Sequence, residues 1–328
     1  MKILVTGGAG YIGSHTVKEL LKKGHEVIIF DSLENGFRDA VVGGKLIEGD
    51  LRNKKDIEDV FDKHKIEAVI HFAAYASVPD SVADPAKYFE NNLCGGLNLL
   101  NAMLKANVKK LVFSSTAAVY GEPKAIPIKE DDPKDPTSPY GLSKLQFEQI
   151  LEWYDRAYDF RYVAVRYFCA AGADPEGQIG ENHMPETHVI PMAIYTALGK
   201  REVFKIYGDD YNTPDGSGVR DFIHVVDLAN IHIRALQYLR EDGKSDAFNC
   251  GIKKGYSVRQ IVNKVEEISG KKVNTTIEPR RAGDPATLVA DPSKIIAKFD
   301  FEQKFSDLDT IIKTSWNWFA KNPDGYKE

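Results

Sequence analysis

The chain has 328 residues, of which 43% are hydrophobic and 28% charged, the make-up of a soluble globular protein with room for one large or two ordinary domains. A net charge of −5 and a pI near 6.0, with no dominant basic run, argue against nucleic-acid binding. Cys94, Cys169 and Cys250 are too scattered for a disulfide framework or a metal knuckle, and no apolar run approaches the ~18 residues of a membrane span. With no signal sequence visible, a cytoplasmic protein without metal or membrane attachment is expected.

In chain order, Lys2–Thr6 (KILVT) reads as a short buried strand, followed by a glycine cluster and a helix over YIGSHTVKELLKKG that Gly24 closes. EVIIFD (Glu26–Asp31) is a second strand and KLIEGD a third. KKDIEDVFDKH is a helix, AVIHFAA a fourth strand, and about Asp84–Ala106 one long helix. KLVFSS is a fifth strand, Ser138–Pro139 opens a helix, and YVAVRYF is a sixth strand. Strands that are apolar throughout and alternate with helices predict an α/β fold with a doubly wound, Rossmann-like parallel sheet covered on both faces. After Phe168 the texture becomes Gly-, Pro- and acid-rich. A smaller C-terminal α/β part is expected there, containing a strand at DFIHV and a helix over YSVRQIVNKVEEISG closed by Gly270. The boundary is placed at 170, giving domains 1–170 and 171–328, with some later elements packing back onto the first.

VTGGAGYIGSH carries Gly8-x-Gly10-x-x-Gly13 and Gly7-x-x-Gly10-x-x-Gly13 between a strand and a helix. That is the setting in which glycines let a backbone approach a pyrophosphate at a helix N-terminus. Without a ligand the same residues make a tight turn. Asp31, ending the second strand, suits ribose hydroxyls and disfavours a 2′-phosphate, so NAD is the expected dinucleotide. Asp50 and Leu51 end the third strand on the same sheet edge. Tyr140 and Lys144, four apart at a helix start, share a helix face. They are either an ordinary helix opening or a tyrosine base whose ionisation a nearby cation favours. Ser114, Ser115 and Thr116 end the fifth strand at that edge, where a hydroxyl can orient a substrate oxygen.

Glycine turn, strand-five Ser/Thr and Tyr-x-x-x-Lys, in this order, resemble the extended short-chain dehydrogenase/reductase family. DGSGVRDFIHVVDLA and PRRAGDPATLVAD extend the resemblance over nearly the whole chain, to that family's UDP-sugar 4-epimerases. The resemblance implies interconversion of UDP-glucose and UDP-galactose through a 4-keto sugar with retained NAD, in a homodimer that pairs helices across a two-fold axis. It implies catalytic roles for Thr116, Tyr140 and Lys144. It assigns the cofactor to Gly7, Gly10, Tyr11, Ile12, Gly13, Asp31, Asn35, Asp50, Leu51, Phe72, Ala73, Ala74, Asn91, Ser114, Tyr140, Lys144 and Phe168. It assigns the UDP-sugar to Thr116, Tyr140, Cys169, His188, Val189, Lys205, Tyr207, Arg220, Arg281, Asp284 and Leu288. A guanidinium fork suits phosphate oxygens independently of any resemblance.

Three positions depart from the family's pattern. Cys169 stands where an asparagine contacts the phosphates, and Ala76 where some members carry a lysine. Leu288 stands where a bulky tyrosine excludes N-acetylated sugars and a small residue admits them. Epimerases of other UDP-sugars and other nucleotide-sugar enzymes are the alternatives. A dehydratase would carry Asp-Glu after Thr116, where this chain has Ala117-Ala118. A non-catalytic NAD sensor on the same fold would usually lose the Tyr/Lys pair.

Overall fold

The computed structural model describes residues 1–281 and 284–326, and the chain divides into two compact units. The first comprises Met1–Glu122, Glu130–Tyr167 and Ala229–Phe248; the second comprises Pro123–Lys129, Phe168–Leu228 and the chain from Asn249 onward.

In the first unit, strands β1 (Lys2–Thr6), β2 (Glu26–Asp31), β3 (Lys45–Glu48), β4 (Ala68–His71), β5 (Lys110–Thr116) and β6 (Arg161–Tyr167) pair in parallel. Together with Asp246–Cys250 they form a seven-stranded sheet in which β1 lies between β2 and β4, and β6 lies between β5 and Asp246–Cys250. After α1 (Tyr11–Lys22), helix α2 (Lys54–Lys63) contributes Ile57 and Val60 to a core that Leu4, Ile28, Phe30, Val69, Leu111 and Phe113 of the sheet face. The intervening residues Ile3, Val5 and Ile29 are buried too, so both sheet faces are covered and the strands read as unbroken apolar runs. Gly24 follows α1 at φ +77, and the Gly24 and His25 amides donate to Leu21 and Leu20, as expected of a glycine that ends a helix.

The expected long helix over Asp84–Ala106 is interrupted. Val78–Ala83 (α3) precedes it, Pro85–Tyr88 (α4) begins it, Phe89–Cys94 makes wider π-type turns, and Gly95–Lys105 (α5) completes it. The wide turns occupy the stretch where Asn92 turns its side chain inward to bond Tyr75 and Ser143. Helix α6 (Pro139–Tyr158) opens with Ser138, whose hydroxyl accepts from the Gly141 amide, and Pro139 at the first turn. Leu99, Leu100 and Met103 of α5 and Phe147 and Leu151 of α6 complete the first core.

The second unit is built on β9 (Val219–His224), after β7 (Cys169–Ala171) and β8 (Phe204–Tyr207). Cys169 pairs with Phe222, and Thr287–Leu288 runs parallel to β9 with Leu288 opposite Arg220. Gly255–Ser257 pairs antiparallel to β9, so the helix expected over YSVRQIVNKVEEISG starts later, at Val258. The local reason is a capping box: Ser257 and Gln260 satisfy each other's backbone amides and fix the helix start, and Gly270 ends it at φ +66. Helix α7 (Val189–Ala197) and the helices Val258–Ser269 and Leu308–Lys321 bury Ile190, Ile194, Ile261, Val265, Ile311 and Trp318 in one core.

Candidate active site

The strand order reverses direction at β1 and β4, where open α/β sheets bind ligands. The glycines sit there for identifiable reasons. Gly7 has φ +71, and a Cβ on it would lie 2.5 Å from the Ala73 nitrogen after β4; one on Gly13 would lie 2.1 Å from the Gly7 carbonyl. Gly10 differs, because its Cβ would meet only the Gly7 oxygen at 3.4 Å and otherwise point into open space. It is the residue before α1, with no side chain capping the helix and no acidic residue in the first turn. The N-terminal amides are thus open to an anion. Asp31 is buried, and burial raises its pKa. Its two oxygens accept from the Ala9 and Leu33 amides, both at 2.9 Å, leaving each oxygen a further lone pair for a ribose hydroxyl. These residues fit a dinucleotide.

Not every candidate faces that purpose. Arg52 holds Asp50 through contacts of 2.6–3.0 Å and also reaches Glu34 at 3.0 Å and Tyr75 at 3.2 Å. Leu51 is buried against Gly95, Asn91 bonds Asn92, and Asn35 is exposed. The Phe72 and Ala73 amides donate to the Thr6 carbonyl, which fixes the turn after β4, where Ala74 follows half-buried. Tyr11 and Ile12 are half-buried in the first turn of α1, and Phe168 opens the second unit.

Tyr140 and Lys144 lie one turn apart on α6, both buried. The Tyr140 ring packs with Tyr75, Tyr88 and Ala118, and Thr116 at the end of β5 acts on its hydroxyl. Burial raises the phenol's pKa and Thr116 pulls it back down. The Lys144 ammonium donates to the Ser114 carbonyl at 2.9 Å, 4.9 Å from the Phe113 ring centre, and burial lowers its pKa to about 7. Within the chain itself, burial is the larger influence on the Tyr140 phenol, and Thr116 opposes it.

Sequence reasoning missed the groups that hold this pair. Asn92 clamps the Tyr75 backbone from both sides (2.9 and 3.0 Å) and reaches Ser143 at 3.2 Å, fixing α6 beside the turn after β4. Glu148 receives Ser115 at 2.5 Å and the Arg166 guanidinium at 3.0 Å, and Arg166 donates to the Tyr120 hydroxyl at 2.8 Å. Glu148 lies four residues after Lys144 on the same helix, a spacing that could have flagged it.

In the second unit, Arg220 pairs with Asp284 and donates to the Val219 carbonyl at 2.8 Å, while Leu288 lies beside it in register. Cys169 is on the neighbouring strand β7, and burial raises its thiol to about 11, so it is a neutral thiol. The Arg281 guanidinium lies 3.8 Å from the centre of the Tyr207 ring, and Lys205 pairs with Glu278 at 3.3 Å. Stacking leaves the edge of the Arg281 fork available to phosphate oxygens. Val189 packs on the second core, whereas His188 turns to Glu181 and Glu186 at 3.1 and 2.8 Å.

Residues 3–251 match the model of the NAD dependent epimerase/dehydratase family. The chain belongs to that family. Among its relatives is a UDP-glucose 4-epimerase of Lacticaseibacillus casei, 50% identical over 327 residues and 99% of each chain. The UDP-glucose 4-epimerase of Brucella ovis, solved in complex with NAD, superposes with a TM-score of 0.95 at 46% identity, over 97% of this chain and 98% of that one. That of Bifidobacterium longum, solved with NAD+ and UDP, gives 0.93 at 40% identity over 99% and 100%. Membership of the family accounts for the open amides beside Gly10 and the carboxylate that ends β2: the family's cofactor is NAD, and this chain has both features.

Proposed function

We infer that this chain interconverts UDP-glucose and UDP-galactose as an NAD-dependent 4-epimerase. The observation that carries the reading is the buried Tyr140 with Lys144 one helical turn away on α6, Lys144 being fixed to the Ser114 carbonyl at the end of β5 that also carries Thr116. The glycine turn and Asp31 would hold NAD, which would supply reversible hydride acceptance at the sugar's C4 with no net redox change. Tyr140 takes the 4-hydroxyl proton and gives it back. Thr116 orients the 4-oxygen and favours the phenolate by hydrogen bonding it. Lys144, fixed by the Ser114 carbonyl, contributes a cation whose charge is finely balanced near neutral pH.

We assign NAD to the first unit and the nucleotide sugar to the second, where Arg220, Arg281 and Asp284 hold the diphosphate while the sugar turns. Cys169, His188, Val189, Lys205 and Tyr207 are assigned to the same ligand, and Leu288 is assigned to limiting the room beside the sugar. A homodimer in the cytoplasm completes the proposal; among the described residues no helix is long and apolar enough to cross a membrane.

The test is an assay of the purified protein with UDP-galactose and no added cofactor, alongside Tyr140→Phe. Turnover from the retained NAD is expected, with a loss of at least ~100-fold in the variant, the lower end for a lost general base. A wild-type protein inactive on both sugars, or near-normal turnover by Tyr140→Phe, overturns the assignment.

A further inference from the structure

The segment before α7 gathers four groups that the reaction does not use together: Glu181, His183, Glu186 and His188. One donor atom from each lies within 4.8 Å of all the others. His183 Nδ1 is 3.3 Å from Glu181 and 3.6 Å from Glu186; His188 Nδ1 is 3.1 Å from Glu181 and 2.8 Å from Glu186. Two independent ion pairs do not have this arrangement. A single Nδ1–H points at one acceptor, yet each imidazole nitrogen here has both carboxylates around it. Glu186 turns Oε2 towards His183 and Oε1 towards His188, so the four side chains surround one small volume, as ligands at the corners of a tetrahedral metal site would. A metal with bonds of about 2.0–2.1 Å to N and O ligands sets those corners roughly 3.3 Å apart, and the observed separations lie on either side of that value.

The ligands are also held from behind, as metal ligands are. The Glu186 carboxylate accepts the Thr187 and His188 amides at 2.7 and 2.8 Å. Trp318 Nε1 donates to the Glu181 carbonyl at 3.0 Å, and the Tyr326 hydroxyl bonds both the Gly180 amide and its carbonyl. Both carboxylate side chains are no more than 5% exposed, although the histidines give a path from solvent. Two acidic groups buried together call for a compensating positive charge, which protonated histidines or a metal cation can supply.

We propose that Glu181, His183, Glu186 and His188 form a tetrahedral zinc site. Two imidazoles with two carboxylates suit zinc better than magnesium or calcium, which prefer all-oxygen shells of six or more ligands. Four protein ligands leave no open position, so the site is structural: it ties the glycine- and acid-rich segment to the start of α7. The site shares only His188 with the nucleotide-sugar reading: its imidazole goes to the metal, and only its main chain is left to that ligand.

The test begins with the full-length protein, stripped by chelator and reloaded with zinc, and its metal content is measured after desalting. One zinc per chain is expected for the wild type. His183→Ala and Glu181→Gln should each lose more than the roughly 10–100-fold in affinity that removal of an outer-shell partner costs, and so desalt without metal. Zinc should raise the wild-type melting temperature and leave His183→Ala unmoved. Cobalt loading of the wild type, which needs no variant to fold, should give visible d–d bands of a tetrahedral N/O site without thiolate charge transfer. No stoichiometric zinc in the wild type, full retention by His183→Ala, or a thiolate or octahedral cobalt spectrum overturns the site.

Discussion

Lys144 is the residue where stability and chemistry oppose each other most directly. Burial lowers its pKa to about 7, against about 10.4 for a free lysine. Between those values the unfolded chain binds a proton that the folded chain does not, so wild-type stability rises with pH through that window and is lost as pH falls towards 7. Lys144→Met removes this dependence. Its melting temperature relative to wild type should therefore improve steadily from pH 10 to pH 7, by up to roughly 4 kcal/mol in stability. A difference that stays flat with pH would show that Lys144 is not buried as described. Leu288 sets a second residue-scale expectation, because the proposed reading places it beside the sugar, where an N-acetyl group would have to turn. Leucine should slow the N-acetylated UDP-sugars by about 10–200-fold relative to UDP-galactose, the range of a 1–3 kcal/mol steric difference. Leu288→Tyr should abolish that activity and spare UDP-galactose. Initial rates on both sugar pairs decide it, and an unchanged ratio removes residue 288 from the pocket.

Between α6 and the sheet, position depends on one buried charge pair. The side chains of Arg166 and Glu148 are 5% and 6% exposed, so removing either partner strands the other away from water. Arg166→Met should cost about 3–5 kcal/mol, read as a lower denaturation midpoint, and Arg166→Met with Glu148→Leu should recover much of it. Strand and helix identities were legible because periodicity and glycine stops are local signals: Lys2–Thr6, Gly24 and Gly270 behave as their sequence reads. The Gly7/Gly10/Gly13 turn was legible for the same reason, since its function lies in its backbone. The π-type turns over Phe89–Cys94 were not, because a side-chain bond from Asn92 to Ser143, 51 residues away, accompanies them. The place of Thr116 beside Tyr140 depends on packing of α6 against β5, which spacing along one helix does not encode. The Glu181–His188 cluster escaped notice because its ligands alternate along an irregular loop, outside the periodicities that sequence patterns rest on.

At the scale of the molecule, the exposed side of α6 predicts self-association. Trp153 is 66% exposed, and Leu142 and Ile150 lie along the same stripe, while Leu93, Leu97 and Leu104 are only partly covered on the neighbouring helical stretch. Tyr154 bonds Asn101 at 3.0 Å, so the two helices form one surface. A second copy of the chain should cover it. Light scattering at micromolar concentration should give twice the monomer mass, and Trp153→Glu should return it towards the monomer; a wild-type monomer would remove the dimer. The interleaving of the two units carries a consequence for biosynthesis. The chain leaves the first unit at Tyr167 and re-enters it only at Ala229, and Asp246–Cys250 is the strand that covers the edge of β6. A nascent chain emerging from the ribosome therefore exposes β6 as an unpaired apolar edge until the chain through Cys250 has been translated. A stalled or cleaved product ending near Tyr167 would be prone to edge-to-edge aggregation, and cellular production should depend on chaperone cover during that interval.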